Sequence, residues 1–296
     1  MPVTPILSGR FGVLLWASQT ARDTVPTTGW KTFGIVRDAR VRVPAGTEVV
    51  RAVGMSLLDL ERAGIVVVER ALEAVDITVT YEAVGIPFAE VAQMAHFQPS
   101  GAFQGELPYI SVLFGDPYRG LFVAVDGKVN RVELDCPADR IVTGTIGINA
   151  RYVTNYTGTV PSFEISPQVF IGKEGKINWG EVLEFRFRLN HRLDARHTIK
   201  PTVSTRPPDY LVETVTEISG SVRAFWYESL DALKNAVLNP IDIQFTLQDF
   251  ADSNKTITIT LPSAKVRDVS KTIPAEREIE VELEYLGMEW DISYTT

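Results

Sequence analysis

Residues 278–285 read EIEVELEY, so Ile279, Val281, Leu283 and Tyr285 alternate with Glu278, Glu280, Glu282 and Glu284. A period of two sends the two sets to opposite faces of a β-strand, and this stretch predicts a strand with one dry face and one wet one. The same period runs through Asp76–Tyr81 (DITVTY), Glu184–Leu189 (EFRFRL), Ser221–Tyr227 (SVRAFWY), Ile241–Leu247 (IDIQFTL) and Thr256–Leu261 (TITITL). These segments are rich in the β-branched and aromatic residues that suit a pleated surface. Helical spacing is confined to Pro87–Phe97, with Phe88, Val91 and Ala95 on one side, and Ser229–Asn239, with Leu230, Leu233 and Val237. The first opens on a proline tolerated in a first turn, and the second stops before Pro240. The expected fold is mainly β.

The remaining composition excludes several classes. The chain has 296 residues, 45% of them hydrophobic and 22% charged, which fits an ordinary folded protein and neither a disordered nor a collagen-like one. Lysine and arginine number 29 against 37 acids, a formal charge of −8, the wrong sign for gripping duplex nucleic acid through its phosphates. The single cysteine, Cys136, allows no internal disulfide, and no Cys/His cluster has zinc spacing. Phe11–Ala17 is apolar but too short and wrongly flanked for a signal peptide or a membrane span. The expectation is synthesis in the cytosol, no membrane partner, and chance matches to the glycosylation pattern at Asn155 and Asn254.

The two helical segments occupy matching places, and the halves repeat. KVNRVELDCPADR (128–140) aligns without a gap on KVRDVSKTIPAER (265–277), a constant displacement of 137 positions with six of the thirteen residues identical. The displacement persists into the next strand, where Val142, Gly144, Ile146 and Ile148 fall on Ile279, Val281, Leu283 and Tyr285. A slip of one residue would invert the faces. The pattern implies one unit used twice: strands, a strand leading into a short helix, a hairpin, and a closing strand. The Thr-, Gly- and Pro-rich stretch 155–164 is the natural boundary, giving units over 1–155 and 156–296. Two stretches resist this scheme. Residues 31–62 and 191–212 are long, rich in arginine and share a DAR triplet (Asp38-Ala39-Arg40 and Asp194-Ala195-Arg196), and they read as long hairpins or loops projecting from each unit.

Enzyme chemistry is poorly represented. His191 and His197 lie in a basic stretch expected to be solvated, with Asp194 as the only nearby third metal ligand, and His96 ends a helical segment. Cys136 precedes Pro137 and aligns with Ile273, which makes it a small apolar filler. No phosphate-binding loop, dinucleotide fingerprint or nucleophile elbow occurs, and Gly115-Asp116 and Asp126-Gly127 read as turns. No catalytic, cofactor or metal site is expected. The conspicuous chemistry is the acid row Glu278, Glu280, Glu282 and Glu284, spaced about 7 Å apart along one strand face. Like charges at that spacing cost about 0.6 kcal/mol per neighbouring pair even in water, so the face must be wet. It is either an ordinary solvated face that blocks edge aggregation or a surface that repels a polyanion. The aligned face of the first half carries Thr143 and Thr145, polar but uncharged.

The order VTEISGSVRAFWYESLDALKNAV (Val215–Val237), then IDIQFTL and TITITLPSAKVRDV, then IPAEREIEVELEYLG (Ile273–Gly287), resembles the tail tube proteins of tailed bacterial and archaeal viruses. The stretch DITVTYEAVGIPFAEVAQMA followed by GKVNRVELDCPADRIVTGTIGINARYV resembles the same arrangement, and together these segments span about half the chain. The resemblance implies two tandem tail-tube-like β-sandwich or barrel units, each with one short helix, that arose by internal duplication. It further implies a structural virion protein whose strands join those of its neighbours around a channel, expected to be negatively lined, with rings stacked into a tube for genome delivery. Partners would be further copies of the chain, the tape measure, terminator and baseplate proteins of the tail, and double-stranded DNA that passes without specific binding. Six single units close a typical ring of this family, so two units per chain imply a homotrimer with pseudo-sixfold symmetry, with a homohexamer as the alternative. Channel-lining candidates are Glu278, Glu280, Glu282, Glu284, Thr143 and Thr145. Arg37, Asp38, Arg40, Arg42, Arg192, Asp194, Arg196 and Arg206 are candidates for loops that bridge stacked rings. Two other readings are a baseplate or distal tail ring protein and a carbohydrate-binding β-sandwich, the latter suggested by Trp16, Trp30, Trp179, Trp226 and Trp290.

Overall fold

A computed structural model describes residues 12–43, 47–48, 68–69, 74–97, 105–117, 120–137, 140–161, 168–177, 180–196, 208–225, 238–272 and 280–296. In chain order the elements are β1 (Val13–Ser18), β2 (Lys31–Thr32), β3 (Val36–Arg42), β4 (Thr47–Glu48), β5 (Val68–Glu69), β6 (Val75–Tyr81), α1 (Ile86–Gln93), β7 (Ile110–Asp116), β8 (Gly120–Pro137), β9 (Thr143–Ala150) and β10 (Tyr152–Asn155). There follow β11 (Phe170–Ile177), β12 (Gly180–Arg196), β13 (Tyr210–Phe225), β14 (Ile241–Asp249), β15 (Thr256–Thr272), β16 (Glu280–Gly287) and β17 (Asp291–Thr295). The mainly β expectation holds. The helical segment predicted over 229–239 falls almost wholly outside the described residues.

Alternation does what it predicts. Val281, Leu283 and Tyr285 of β16 are buried while Glu282 and Glu284 are exposed, and β6 buries Val75, Ile77, Val79 and Tyr81. The helix α1 has no side-chain cap of its own at Gly85; instead the free amide of Ile86 donates to Gln168 Oε1 at 3.0 Å, so the second half of the chain caps the helix of the first. Pro87 sits in its first turn, and Ile86, Phe88, Ala89, Val91 and Ala92 face the core. The helix is shorter than the predicted 87–97, passing after Gln93 into tight turns through His96.

All named pairings are antiparallel. A continuous central sheet runs β3-β6-β9-β8-β12-β13-β16-β15. On one flank the first part of β8 pairs with β7 and β10, and β7 with β1. On the other, the first part of β15 pairs with β14 and β17, and β14 with β11. The long strands β8 and β15 thus each serve a flank and then the central sheet. Each bends through a non-glycine residue with left-handed backbone, Asp126 (φ 54) and Ser263 (φ 55), which stand 137 positions apart. Here the structure departs from the expectation that Asp126-Gly127 is a turn. Asp126 is fully buried inside β8, where its carboxylate accepts from Gln19 Nε2 (3.0 Å) and the Asp23 amide (2.9 Å) and lies 2.9 Å from Arg151. Those bonds compensate the strained backbone and the buried charge together.

The strand registers repeat. Lys128, Val129, Arg131, Val132, Glu133, Leu134 and Asp135 face β9 as Lys265, Val266, Asp268, Val269, Ser270, Lys271 and Thr272 face β16, with the irregularity after Val129 matched by one after Val266. Tyr81 and Ala224 hold matching places, opposite Gly144 and Val281. Across from them stand Val36 and Val182, a register shift follows each, and Asp38, Ala39, Arg40, Val41 and Arg42 then match Glu184, Phe185, Arg186, Phe187 and Arg188.

One apolar cluster crosses the middle of the chain. Val132, Leu134 and Cys136 of β8 join Phe185, Phe187 and Leu189 of β12 and Val222, Leu283 and Tyr285 beyond. Phe185 stacks between Phe245 (5.0 Å) and Tyr285 (6.3 Å). Cys136 fills the apolar place expected for it, and burial, with Asp135 nearby, pushes its thiol pKa well up. A smaller cluster under the first flank gathers Leu15, Trp30, Leu113, Val123 and Val125. Gly220 lies where β13 passes closest to its neighbours, and a methyl group there would overlap the Arg186 carbonyl oxygen and the Tyr285 ring and hydroxyl, which itself donates to that carbonyl at 2.8 Å. Gly220→Ala is therefore expected to lower the urea midpoint by the equivalent of about 1–3 kcal/mol. Gly12→Ala, with nothing near its added methyl, should leave the midpoint unchanged.

Candidate lining face and open sheet edges

The central sheet has one face on the core and one on solvent. On the outer face β9 places Thr143 and Thr145 beside Asp135 and Glu133 of β8. Next to these, β12 places Arg186 opposite Asp135 and Arg188 opposite Glu133. Ser221 and Ser219 of β13 follow, then Glu284 and Glu282 of β16 opposite Ser221 and Arg223. The curvature of the sheet makes this face an open depression of about 670 Å³, with Thr143, Thr145, Arg186, Arg188, Glu282 and Glu284 in its lining. The structure thus gathers four of the six residues predicted to line a surface; Glu280 stands on the same strand, and Glu278 lies outside the described residues.

The arginines were not foreseen on this face, although EFRFRL announces them: once Phe185, Phe187 and Leu189 point inward, period two sends Glu184, Arg186 and Arg188 outward. They change its electrostatics. Arg188 lies 2.7 Å from Glu133, Arg186 lies 2.6 Å from Glu184 and 3.5 Å from Asp135, and Arg223 lies 3.3 Å from Glu184. Exposed pairs of this kind contribute about 0–1 kcal/mol each, so their importance is in cancelling charge. Among the described residues, Glu280, Glu282 and Glu284 have no ion-pair partner. Among the described residues the face is charge-compensated at its centre and acidic along β16, where Asp268 of β15 stands opposite Glu284.

The candidates for projecting loops divide. Arg37, Asp38, Arg40 and Arg42 are not in a loop: they stand on β3, the edge strand of the central sheet, with Arg37 at a register shift 3.8 Å from Glu82. Arg192, Asp194 and Arg196 lie on β12 beyond Asn190, the last residue paired with β8, in a hairpin with β13 that extends past the sheet. Asp194 is 3.5 Å from Arg192 and 3.6 Å from Arg196, while Arg206 lies outside the described residues. The outer part of this hairpin, where Glu213 and Leu211 stand opposite Leu193 and Ala195, is held by the buried Lys128, whose Nζ donates to Glu213 (2.6 Å), Glu106 (3.2 Å) and the Leu211 carbonyl (3.1 Å). Burial alone would lower the Lys128 pKa, but these acids raise it above its ordinary value.

His191 corrects another expectation, since it is buried rather than solvated. Its Nε2–H donates to the Ala95 carbonyl at 2.8 Å, which leaves Nδ1 to accept from the Thr216 hydroxyl at 2.8 Å. Both nitrogens are thus engaged by groups other than a metal, and among the described residues no His, Cys, Asp and Glu cluster has the makings of a metal site. His197 lies outside the described residues. His96 stacks on Trp290 at 4.1 Å, and Trp16 and Trp30 are buried, so these residues form no exposed aromatic platform of the kind a sugar-binding site uses; Trp179 and Trp226 lie outside the described residues.

Both edges of the central sheet are open. β3 pairs on one side with β6, and the stretch 265–272 of β15 pairs on one side with β16; neither has a second partner among the described residues. The profile of a phage tail tube protein family matches residues 13–285 of this chain. The chain belongs to the phage tail tube protein family. It is accordingly a structural component of a phage tail and not an enzyme, as its lack of catalytic motifs led us to expect. No curated protein matches the sequence. Among the described residues no helix is long and apolar enough to cross a membrane.

The buried His191 is expected to make this tail tube protein less stable in acid. Burial lowers the His191 pKa, against weaker opposing effects of the Ala95 carbonyl and Glu213. The unfolded chain, whose imidazole titrates near ~6.5, then binds more protons than the folded one as pH falls below that value, and stability falls with it. His191→Gln keeps a donor for Ala95 and an acceptor for Thr216. It is expected to flatten the dependence of the urea midpoint on pH between about 6.5 and 5, while a slope equal to that of the parent would show that His191 does not titrate with unfolding.

Proposed function

We propose that this tail tube protein carries two copies of one unit, residues 1–155 and 156–296, and assembles as rings of three chains that stack into a tube for genome delivery. The observation that carries the reading is the join inside the chain. β8 closes the sheet of the first half and pairs through seven positions, Arg131–Pro137, with β12, which opens the sheet of the second. The strand matching β8 is β15, and the strand matching β12 is β3, and these are the two open edges. An edge that has accepted one copy of the unit inside the chain presents the same surface for another chain, and a head-to-tail contact of this kind closes a ring by rotation. Repeated strand registers support the internal duplication, and the family supports the tube.

In this reading the outer face of the central sheet lines the channel. Its arginines are held by carboxylates, so displacing them onto DNA phosphates would break existing pairs, and the gain from counterion release is correspondingly reduced. The Arg192–Arg196 hairpin projects beyond the sheet and is the candidate for contact between stacked rings and with other tail proteins. A position in the baseplate or distal tail would give a single ring instead of a growing tube.

Negative-stain microscopy of the purified protein is expected to show tubes with a central channel, and the mass of isolated rings to equal three chains. Rings of six chains would overturn the pseudo-sixfold arrangement, and single rings without stacking would favour the distal tail. Deleting residues 199–208, between β12 and β13, should leave ring formation intact and stop tube growth; tubes of normal length from that variant would remove this segment from the stacking contact.

A further inference from the structure

We infer that a second copy of this chain docks its β3 on the open edge of β15 in the register that β12 uses on β8, with Glu280 and Glu282 as the counter-charges of the incoming Arg40 and Arg42. The inference rests on the ring reading and specifies its lateral contact. Inside the chain, Asp135 faces Arg186, Glu133 faces Arg188 and Val132 faces Leu189. Displacing β8 by 137 positions turns Asp135, Glu133 and Val132 into Thr272, Ser270 and Val269. The matched strand turns Arg186 and Arg188 into Arg40 and Arg42, and one residue further Leu189 into Val43. The intermolecular register is then Thr272 with Arg40, Ser270 with Arg42 and Val269 with Val43.

Three observations bear on it. Val132 and Leu189 are buried at the internal join, whereas Val269 is only half-buried and Val43 is 58% exposed, as expected of the same contact before its partner arrives. The arginines are kept on the incoming strand, since Arg40 and Arg42 match Arg186 and Arg188 and have no ion-pair partner among the described residues. Their acids are also kept but stand one strand further in. At the internal join Glu133 is adjacent to Arg188, and Thr145 lies behind it on β9; at the open edge Ser270 takes the adjacent place, and Glu282 lies behind it on β16. Thr272 and Glu280 stand in the same relation to Arg40. Two strand spacings, about 10 Å between backbones, separate Arg42 from Glu282. A guanidinium and a glutamate reaching towards each other over a serine span that gap. The acid row of β16, unpaired among the described residues, thus acquires a partner that a second copy supplies.

Cysteines at positions 42 and 270 test the register, because one chain holds them on opposite edges of its sheet and a disulfide between them must join two chains. Under mild oxidation the R42C/S270C protein is expected to form a covalent ladder ending at the ring, and the off-register pair R40C/S270C is not. R42E and E282R should each lose at least tenfold in ring yield while unfolding like the parent, and the combined R42E/E282R protein should recover it. Rings that form with no 42–270 cross-link, or with the 40–270 cross-link, overturn this register and leave the ring reading standing. Loss of rings in R42E/E282R as complete as in the single variants overturns the ion pairing. A parent protein that forms no rings overturns both the ring reading and this contact.

Discussion

The edge of a β-sheet is a row of backbone donors and acceptors that must be paired, covered or left wet, and the architecture of this chain follows from how it treats three such edges. One, where β8 meets β12, is closed within the chain by seven paired residues over the buried side chains of Val132, Leu134, Cys136, Phe185, Phe187 and Leu189. Two, at β3 and at the second part of β15, have no second partner among the described residues. The closed join makes one apolar core of what would otherwise be two smaller ones, and Phe185 is where this is most visible. It belongs to the second half, where it stacks on Phe245 and Tyr285, yet it stands opposite Cys136 of the first in the paired strands. The crossing is reinforced at α1, whose first amide is bonded by Gln168, and at Lys128, which ties the β12–β13 hairpin to β8.

Much of this was legible in the sequence because the strands are half-buried. EIEVELEY assigns its faces by itself, and the displacement of 137 positions is visible in six identities that the structure converts into matching registers and matching irregularities. What was misread fails for a common reason: a polar residue in a β-rich chain carries no local mark of being buried. His191 sits in a run of basic residues, yet the strand brings it against the turn that follows α1, where Ala95 offers a carbonyl 96 positions away in sequence. Asp126-Gly127 has the composition of a turn, but the groups that satisfy the carboxylate, Gln19, Asp23 and Arg151, are all distant in the chain. β3 was hidden by its composition, since VRDARVR buries little and owes its strand to pairing with β6.

The site reading changed more than the fold reading. Taken alone, the glutamates of β16 suggest a surface that repels a polyanion, and the chain's formal charge of −8 suggests the same. The sheet shows that charge on this face is set across strands rather than along one. At its centre each acid has an arginine within ion-pair distance, whereas Glu282 and Glu284 have none among the described residues, although Arg223 stands opposite Glu282; the acid row is conspicuous for that reason and not because the face as a whole is acidic.

A charge pattern shifted by one strand has a further consequence for how an assembly of identical units avoids closing on itself wrongly. If both joins carried the pairing seen between β8 and β12, the two edges of one half would complement each other as well as they complement those of a second chain. Here they differ: acids stand in the first row at the internal join and in the second row at the open edge, while the arginines opposite keep their place. In the proposed contact an incoming β3 would present Arg40 and Arg42 but, at the position of Phe185, only Ala39, so it would lack the aromatic plug that completes the internal core. Burial of Phe185 adds about 1.5–3 kcal/mol that the open edge does not obtain from Ala39. If second copies dock at the open edge as proposed, the internal join is the stronger of the two contacts, the order of strengths that lets a folded subunit exist before it is incorporated.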